Sequence, residues 1–190
     1  MGGGNFLNLL EYIQSSGSQY IDTGFKPNQN TRVVMDIEIL SSSGTTAAIL
    51  GSRNSTSSSN NSFVLWKISG SAFRSDYRST TTNISVTPTG RHKIDKNKNK
   101  CTIDSTSITH SAGTFQSSYN LMLFANNGMG TIDSRKIHAR LYSCQVYDNN
   151  VLIRDYIGIN YEGSIGLWDQ VNEVFYPNKG TGNFVAGPSI

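Results

Sequence analysis

The stretch RVVMDIEIL, residues 32–40, constrains the fold more than any other part of the chain. Successive side chains of a strand point to opposite faces of its sheet. Val33, Met35, Ile37 and Ile39 therefore share one face, and Val34, Asp36, Glu38 and Leu40 share the other. A sheet that is covered on one side produces this alternation, so the stretch predicts a strand beside a packed core.

Similar short stretches, rich in Val, Ile, Thr, Tyr and Phe and broken by Gly, Asn and Ser, recur along the chain. They predict strands at 19–22, 31–40, 46–52, 62–68, 71–77, 82–86, 90–95, 100–104, 107–111, 120–126, 136–148, 151–157, 164–168 and 173–176. This spacing is typical of an all-β sandwich or barrel. Near the N-terminus a short helix is an alternative, but LEYIQSSGSQYIDTG favours a strand, a Ser-Gly turn and a second strand.

The length of 190 residues fits one domain with a sizeable core. We expect a flexible arm at 1–10 and a single domain at 11–190. The net charge is +3, but five basic residues and one acid fall within 91–100. This local concentration is typical of a solvated hairpin turn rather than a phosphate-binding face, so no nucleic-acid partner is expected.

The two cysteines, Cys101 and Cys144, show no metal-ligand spacing. They are either bonded to each other or buried as free thiols. No apolar run approaches the roughly 18 residues of a membrane helix, and the start lacks the features of a signal peptide. We expect no membrane association, and an extracellular role would require release by lysis or within a virion.

Both ends of the chain carry a recognisable pattern. The segment LEYIQSSGSQYIDTGFKPNQNTRVVMDIEI, residues 10–39, and the segment from Val146 to Pro188 resemble the opening and closing stretches of concanavalin A-like, LamG-like jelly-roll domains. These domains are common in proteins of phages and prophages of gut bacteria and in some gut bacterial surface proteins. AILGSR at 48–53 and NLMLFANN at 120–127 are similar to two internal strands of the family.

The resemblance implies an all-β fold, a two-sheet antiparallel β-sandwich of the jelly-roll, concanavalin A-like type. It also implies that N- and C-terminal strands pair side by side. The Gly-rich end GTGNFVAG would then return Phe184 and Val185 to the core.

Retaining glucanases on this scaffold carry a motif that resembles E-x-D-x-E on one strand, and their two catalytic carboxyls lie roughly 5 Å apart. Here Val34 stands in the place of the first glutamate, ahead of Asp36 and Glu38. Valine cannot act as a nucleophile. We therefore expect Asp36 and Glu38 to face solvent or line a groove, balanced by Arg140 or Lys67, and the protein not to be an enzyme. A divergent glycoside hydrolase with one acid elsewhere is the enzymatic alternative.

Other catalytic arrangements are weakly indicated. His92, His110 and His138 lie on separate predicted strands, so a Ser-His-Asp arrangement stays open. No serine lies in a G-x-S-x-G turn, and no glycine loop suits a phosphate. A calcium ion would need converging oxygen ligands, and no D-x-D-type loop is present. We expect no catalytic residues, no cofactor and no metal.

Sugar sites on β-sandwiches combine an aromatic ring with polar groups that bind hydroxyls. Trp66 is out of phase with Phe63 and Leu65 and is predicted to face the opposite side of its strand, although a packing role is the alternative. The predicted ligand-binding residues are Arg53, Asn54, Trp66, Arg74, Tyr77 and Asn126.

The sequence thus favours a non-catalytic, lectin-like phage virion protein, namely a decoration, fibre or adhesin, that binds host-surface or mucus glycans. A purely structural virion component is the alternative. The expected partners are a glycan or bacterial surface polysaccharide and other virion proteins, which residues 1–10 would contact. A homo-oligomer is expected, located in the virion or, alternatively, on the bacterial cell surface.

Overall fold

The computed structural model of the protein describes residues 7–41, 45–56, 61–68 and 71–190. Nineteen strands and no helix occur in these ranges. The strands are β1 (Asn8–Leu10), β2 (Ile13–Ser16), β3 (Ile21–Asp22), β4 (Thr31–Ile39), β5 (Ala47–Arg53), β6 (Ser62–Ile68), β7 (Ala72–Arg78), β8 (Thr80–Ile84), β9 (Gly90–Asn97), β10 (Lys100–Ile103), β11 (Thr106–Thr109), β12 (Met122–Leu123), β13 (Asn127–Gly128), β14 (Thr131–Ile132), β15 (His138–Asp148), β16 (Val151–Tyr161), β17 (Ser164–Asp169), β18 (Val174–Pro177) and β19 (Val185–Ala186). The described residues contain no helix with the length and hydrophobicity needed to span a membrane.

The strands form two sheets. Sheet A has 11 strands in the order β11-β10-β9-β4-β15-β16-β17-β18, with β1 paired to β16, β2 to β15 and β19 to β2. Sheet B has 8 strands in the order β14-β13-β5-β6-β7-β8, and β12 joins β5 to β3. Neighbouring strands are antiparallel apart from the short parallel pair of β13 and β5. The predicted two-sheet antiparallel β-sandwich is confirmed.

Apolar side chains from both sheets fill the space between them. Strand β4 contributes its predicted apolar face, Val33, Met35, Ile37 and Ile39, each at most 2% exposed. Sheet B contributes Phe63, Leu65 and Phe73, which are fully buried in the same cluster. Cys101 and Cys144 are free thiols within this core. Each square ångström of apolar surface removed from water stabilises the fold by about 25 cal/mol, so this layer is the main source of stability.

The two ends of the described chain lie side by side. Strand β19 pairs with β2, and Leu10 forms a bridge with Ser189. Phe184 is buried and its ring lies 5.2 Å from that of Phe124. The expectation that Val185 would also return to the core is wrong, because its side chain is 53% exposed on the short closing strand.

Part of the expected N-terminal arm belongs to sheet A. Residues 8–10 form β1 and pair with β16, and the side chain of Leu10 is buried in the core. Leu7 and Leu9 are 39% and 37% exposed. Residues 1–6 lie outside the described residues, so the division into arm and domain at residue 10 stays a prediction.

A cluster of hydrogen-bonded polar side chains lies between the two sheets. Lys96 Nζ donates a hydrogen bond to Ser75 Oγ at 2.7 Å, and His110 Nε2 lies 3.0 Å from the same oxygen. His110 Nδ1 contacts Thr80 Oγ1 at 2.8 Å. Burial, together with the charge of Lys96, lowers the pKa of His110 to about 4. A proton on His110 is therefore unfavourable in the folded protein.

We expect the free energy of unfolding to fall when the pH is lowered from 7 to 5. The pKa of His110 is lowered from 6.5 to about 4, so only the unfolded chain binds the proton between these values. The stability that neutral His110 contributes is complete above pH 6.5 and is lost as the pH falls towards 4. The loss between pH 7 and pH 5 is about 2 kcal/mol, measured by urea denaturation at both values.

The variant His110→Asn isolates this effect, because it removes the titrating group. Its pH dependence is expected to shrink by about that amount, while His138→Asn, on β15, keeps the dependence of the wild type. An unchanged pH dependence in His110→Asn would show that other groups cause the loss.

Candidate functional site

The outer face of sheet B carries a second, smaller apolar cluster. Ala48 of β5 and Val64 and Trp66 of β6 form it, and all three are fully buried. Trp66 alternates with Phe63 and Leu65 of the main core, so it faces the opposite side of β6, as the sequence predicted. Trp66 lies on the outside of the sandwich but has no exposed surface. Other side chains must therefore cover it on that side.

Three guanidinium groups supply that cover. The central carbons of Arg53, Arg74 and Arg135 lie 5.5, 5.3 and 4.7 Å from the ring centroid of Trp66. A cation within about 6 Å of an aromatic ring is attracted by its electrons. Arg53 and Arg74 come from β5 and β7, which flank β6, and Arg135 follows β14. We refer to Trp66 and these three arginines as the arginine cage.

Two aspartates pair with two of the arginines. Trp66 Nε1 donates a 2.8 Å hydrogen bond to Asp76 Oδ2, and Arg74 Nε lies 3.2 Å from Asp76 Oδ1. Arg135 donates two hydrogen bonds to Asp133, at 2.9 and 2.6 Å. These bonds hold the pKa of Asp133 below its ordinary value, although burial acts in the opposite direction. Asp76 and Asp133 therefore balance Arg74 and Arg135.

The third arginine, Arg53, lacks such a partner within the described residues. Its side chain is 7% exposed, its Nε has no hydrogen-bond partner, and Asp133 Oδ2 is 3.9 Å from its Nη2. Burial lowers the pKa of Arg53, and the carboxylates of Asp133 and Asp76 offset part of this. Three arginines and two aspartates leave the cage region with one uncompensated positive charge.

A cavity of about 510 Å³ opens beside the cage, and we refer to it as the cage pocket. It is lined by Arg53, Thr56, Gly128, Met129, Thr131, Asp133 and Arg135. Met129 is 50% exposed and has a φ of 58°, which is uncommon for a residue other than glycine. The turn between β13 and β14 thus presents an apolar side chain at the rim of a charged cavity.

Asn126 lies behind the wall of the cage pocket. It is fully buried, and neither atom of its amide has a hydrogen-bond partner. A Cβ on Gly128 would lie 3.6 Å from Arg53 Nε and 3.7 Å from Asn126 Nδ2. Two donors without partners therefore approach the same glycine on the cavity wall. Buried polar groups are nearly always hydrogen-bonded, so their convergence marks a candidate binding site.

The structure brings together four of the predicted ligand-binding residues. Arg53, Trp66 and Arg74 are members of the arginine cage, and Asn126 lies beside it. Trp66 has no exposed surface, so a sugar would have to displace an arginine in order to stack on its ring. Of these four predicted residues, Arg53 is the one that lines the cage pocket.

Asn54 and Tyr77 lie elsewhere. Asn54 Oδ1 accepts hydrogen bonds from Ser117 Oγ and Ser118 N, which fix the loop before β12. Tyr77 is 2% exposed between the sheets, where its ring packs edge-on against Phe115 at 5.3 Å. Both residues hold neighbouring segments in place.

Four charged or apolar residues of the site were not predicted from the sequence: Asp76, Met129, Asp133 and Arg135. Three of them lie between residues 129 and 135, where GMGTIDSRK contains no recognisable motif. The closely spaced charges of Asp133 and Arg135 after a Gly-rich turn are the only local signal.

The carboxylates of Asp36 and Glu38 face away from the core on sheet A. Asp36 accepts a hydrogen bond from Arg91 at 2.8 Å and another from Lys93, and Glu38 pairs with Arg140 at 3.2 Å. Burial alone would raise the pKa of Asp36, but its bonds to Arg91 and Lys93 hold that pKa below its ordinary value. The expected balance of this pair by Arg140 is found, whereas Lys67 belongs to sheet B.

The histidines form no open catalytic site in the described part of the chain. Ser75, next to His110, is fully buried between the sheets. His92 Nδ1 contacts Asp104 at 2.8 Å, and its Nε2 contacts the carbonyl of Pro88. No group of three or more His, Cys, Asp or Glu that could hold a metal ion occurs among the described residues.

Comparisons with known proteins identify the fold. No model of a protein family matches the chain, and no curated protein matches it. Among solved structures, the chain is similar to the CBM40 module of the Ruminococcus gnavus IT-sialidase, which was solved bound to α2,3-sialyllactose. The two are 14% identical with a TM-score of 0.53, over 75% of this chain and 91% of the module. At this identity the likeness shows a shared β-sandwich fold.

The substitution Trp66→Phe is expected to destabilise the protein. It removes the hydrogen bond to Asp76, a fully buried residue, and such a loss costs about 1–3 kcal/mol. The smaller ring adds to the loss. Urea denaturation of the variant measures the free energy of unfolding.

Trp168→Phe is the matched control. Trp168 is half-buried and stacks on Tyr161 with ring centroids 6.3 Å apart, without the buried carboxylate partner that Trp66 has. We expect a clearly smaller loss. Equal losses in the two variants would contradict a special role for the bond from Trp66 to Asp76.

Proposed function

We propose that this protein is a non-catalytic, lectin-like domain that binds a glycan in the cage pocket. The observation that carries the proposal is Arg53, a buried cation without a close partner on the wall of an open cavity. Ligand sites place a few fixed polar groups among apolar surface, and here Met129 supplies the apolar part. A protein with a similar sandwich binds a sialylated sugar, which supports a carbohydrate as the ligand class.

The charges of the cage pocket favour binding over hydrolysis. Glycoside hydrolysis uses two carboxyl groups that flank the scissile bond. Asp133 is the one acid that lines the pocket within the described residues, and it is bonded to Arg135. Asp36 and Glu38 lie on the other sheet and are ion-paired. The described residues therefore offer the pocket one ion-paired carboxylate and no second acid.

A glycan array tests this proposal. The wild type is expected to show saturable binding to a subset of saccharides. Thr131→Trp fills the pocket from an exposed position on β14 without removing an arginine, and it is expected to reduce binding at least ten-fold. Thr106→Trp places the same ring at an exposed position of β11 on sheet A and is expected to bind as the wild type does.

Folded wild type that binds no saccharide at high concentration would refute the glycan proposal and favour a structural role. Binding that survives in Thr131→Trp would place the glycan site elsewhere on the sandwich.

We further propose that the domain works in a phage virion, where residues 1–10 contact other virion proteins or further copies of the chain. The support is the resemblance of both chain ends to phage jelly-roll domains and the exposure of Leu7 and Leu9 beside the buried Leu10. Exposed apolar side chains that neighbour one another are typical of contact surfaces.

Mass spectrometry of purified phage particles tests this setting. We expect the protein to be present in them, and the Leu7→Ser/Leu9→Ser variant to be depleted although it folds. The absence of the wild type from particles would refute a virion role, and normal incorporation of the variant would refute attachment through this surface.

A further inference from the structure

We propose that the glycan held in the cage pocket bears a carboxylate and that Arg53 binds this group. The inference rests on the proposed glycan binding and specifies the class of sugar, namely an acidic saccharide with one negative charge on the residue that enters the pocket.

The charge balance is the first argument. The guanidinium groups of Arg53, Arg74 and Arg135 exceed the carboxylates of Asp76 and Asp133 by one positive charge. Taking a charge out of water is costly unless a partner compensates it. A single carboxylate neutralises the region, whereas a neutral sugar leaves the excess charge buried.

The distribution of hydrogen bonds selects Arg53 among the three arginines. Arg135 uses two donors on Asp133. Arg74 is ion-paired with Asp76 at 3.2 Å and donates a 3.5 Å hydrogen bond to it from Nη2. Arg53 has Asp133 only at 3.9 Å, and within the described residues its guanidinium makes no hydrogen bond. A guanidinium presents parallel N–H donors that match a carboxylate, and its donors here are free for one.

The position of Arg53 is fixed before a ligand arrives. Its guanidinium lies over the ring of Trp66, 5.5 Å from the centroid, and its side chain is 7% exposed. A side chain that is already ordered loses little entropy on binding. Because water is largely excluded around it, its attraction for an anion is stronger than that of an arginine in solvent.

Asn126 is fully buried beside Arg53 and does not itself line the cage pocket. Its Nδ2 and Arg53 Nε both lie close to the position that a Cβ on Gly128 would occupy, at 3.7 and 3.6 Å. Asp133, on the same cavity, repels a second negative charge and so favours a monoanionic sugar over a more highly charged one.

The test compares acidic saccharides with their own neutral forms. The array carries uronate-containing and sialylated oligosaccharides, each beside the same molecule with its carboxyl group esterified or reduced, together with neutral oligosaccharides and sulfated saccharides that lack carboxylates. We expect the wild type to bind the best carboxylated member at least about ten-fold more tightly than its esterified form. Titration calorimetry on that pair gives the ratio.

The variants locate the effect. Arg53→Gln is expected to bind both members of the pair alike. Arg32→Gln removes an arginine that is paired with Asp95 on sheet A and is expected to keep the ratio of the wild type. Thermal melts confirm that both variants are folded. The wild-type comparison of the two ligand forms tests the inference even if Arg53→Gln does not fold.

Each other outcome is decisive. Equal binding of acidic and esterified forms, or binding of neutral or sulfated members alone, would overturn the carboxylate inference and leave the glycan proposal standing. A ratio that persists in folded Arg53→Gln would overturn the role of Arg53. Binding of no saccharide would overturn both the inference and the proposed function.

Discussion

Sheet B is apolar on both faces, and each face must therefore be covered. Sheet A covers the inner face, where Phe63 and Leu65 join the main core. On the outer face, three arginines cover Trp66. Their guanidinium groups are attracted to the aromatic ring, and their charge keeps this face of the sheet polar towards water. The path of the chain after β14 follows from this requirement. The carbonyl of Arg135 accepts a 2.8 Å hydrogen bond from Ala48 N, which ties the covering segment to β5.

The candidate site arises from the side chains that cover Trp66. Two of the cage arginines are balanced by aspartates, and Arg53 is not. Glycine at 51 makes room for the arrangement, because a Cβ there would lie 2.6 Å from Asn126 Oδ1 and 2.7 Å from Val64 Cγ1. A packing solution for one tryptophan thus leaves a cation and an amide beside an open cavity. The side chains that cover Trp66 are thus also those on which the proposed site depends.

Local patterns in the sequence were sufficient for most of the fold. The alternation in 31–40 predicted the faces of β4 correctly, and residues 91–100 form part of the predicted hairpin of β9 and β10, with Lys98 at a φ of 54°. The expected solvation of this segment is wrong for Lys96, which is 1% exposed. The phase of Trp66 was also correct. These features depend on neighbours in sequence, where strand period and turn chemistry determine the outcome.

The site depended on contacts that no local pattern encodes. Arg135 reaches Trp66 across 69 positions of sequence, through the parallel bridge of Ala48 and Lys136. Tyr77 has the composition of a sugar-binding residue but lies on the inward phase of β7, opposite Phe63. Asn54 follows Arg53 directly and still turns towards another loop. Residue type alone suggested Tyr77 and Asn54 as binding residues. The tertiary arrangement of the strands determines which side chains reach the site.

The adjacency of the two ends of the described chain has a consequence for how the domain can be used. Because Leu10 and Ser189 are neighbours, a host protein could carry this sandwich as an insertion between two adjacent positions of one of its loops. The strands at the two ends of the described chain could also be linked and the chain opened at an exposed turn, which would produce a circular permutant with the same layers. The pairing of β2 with β19 is the contact that would hold the two points of insertion together.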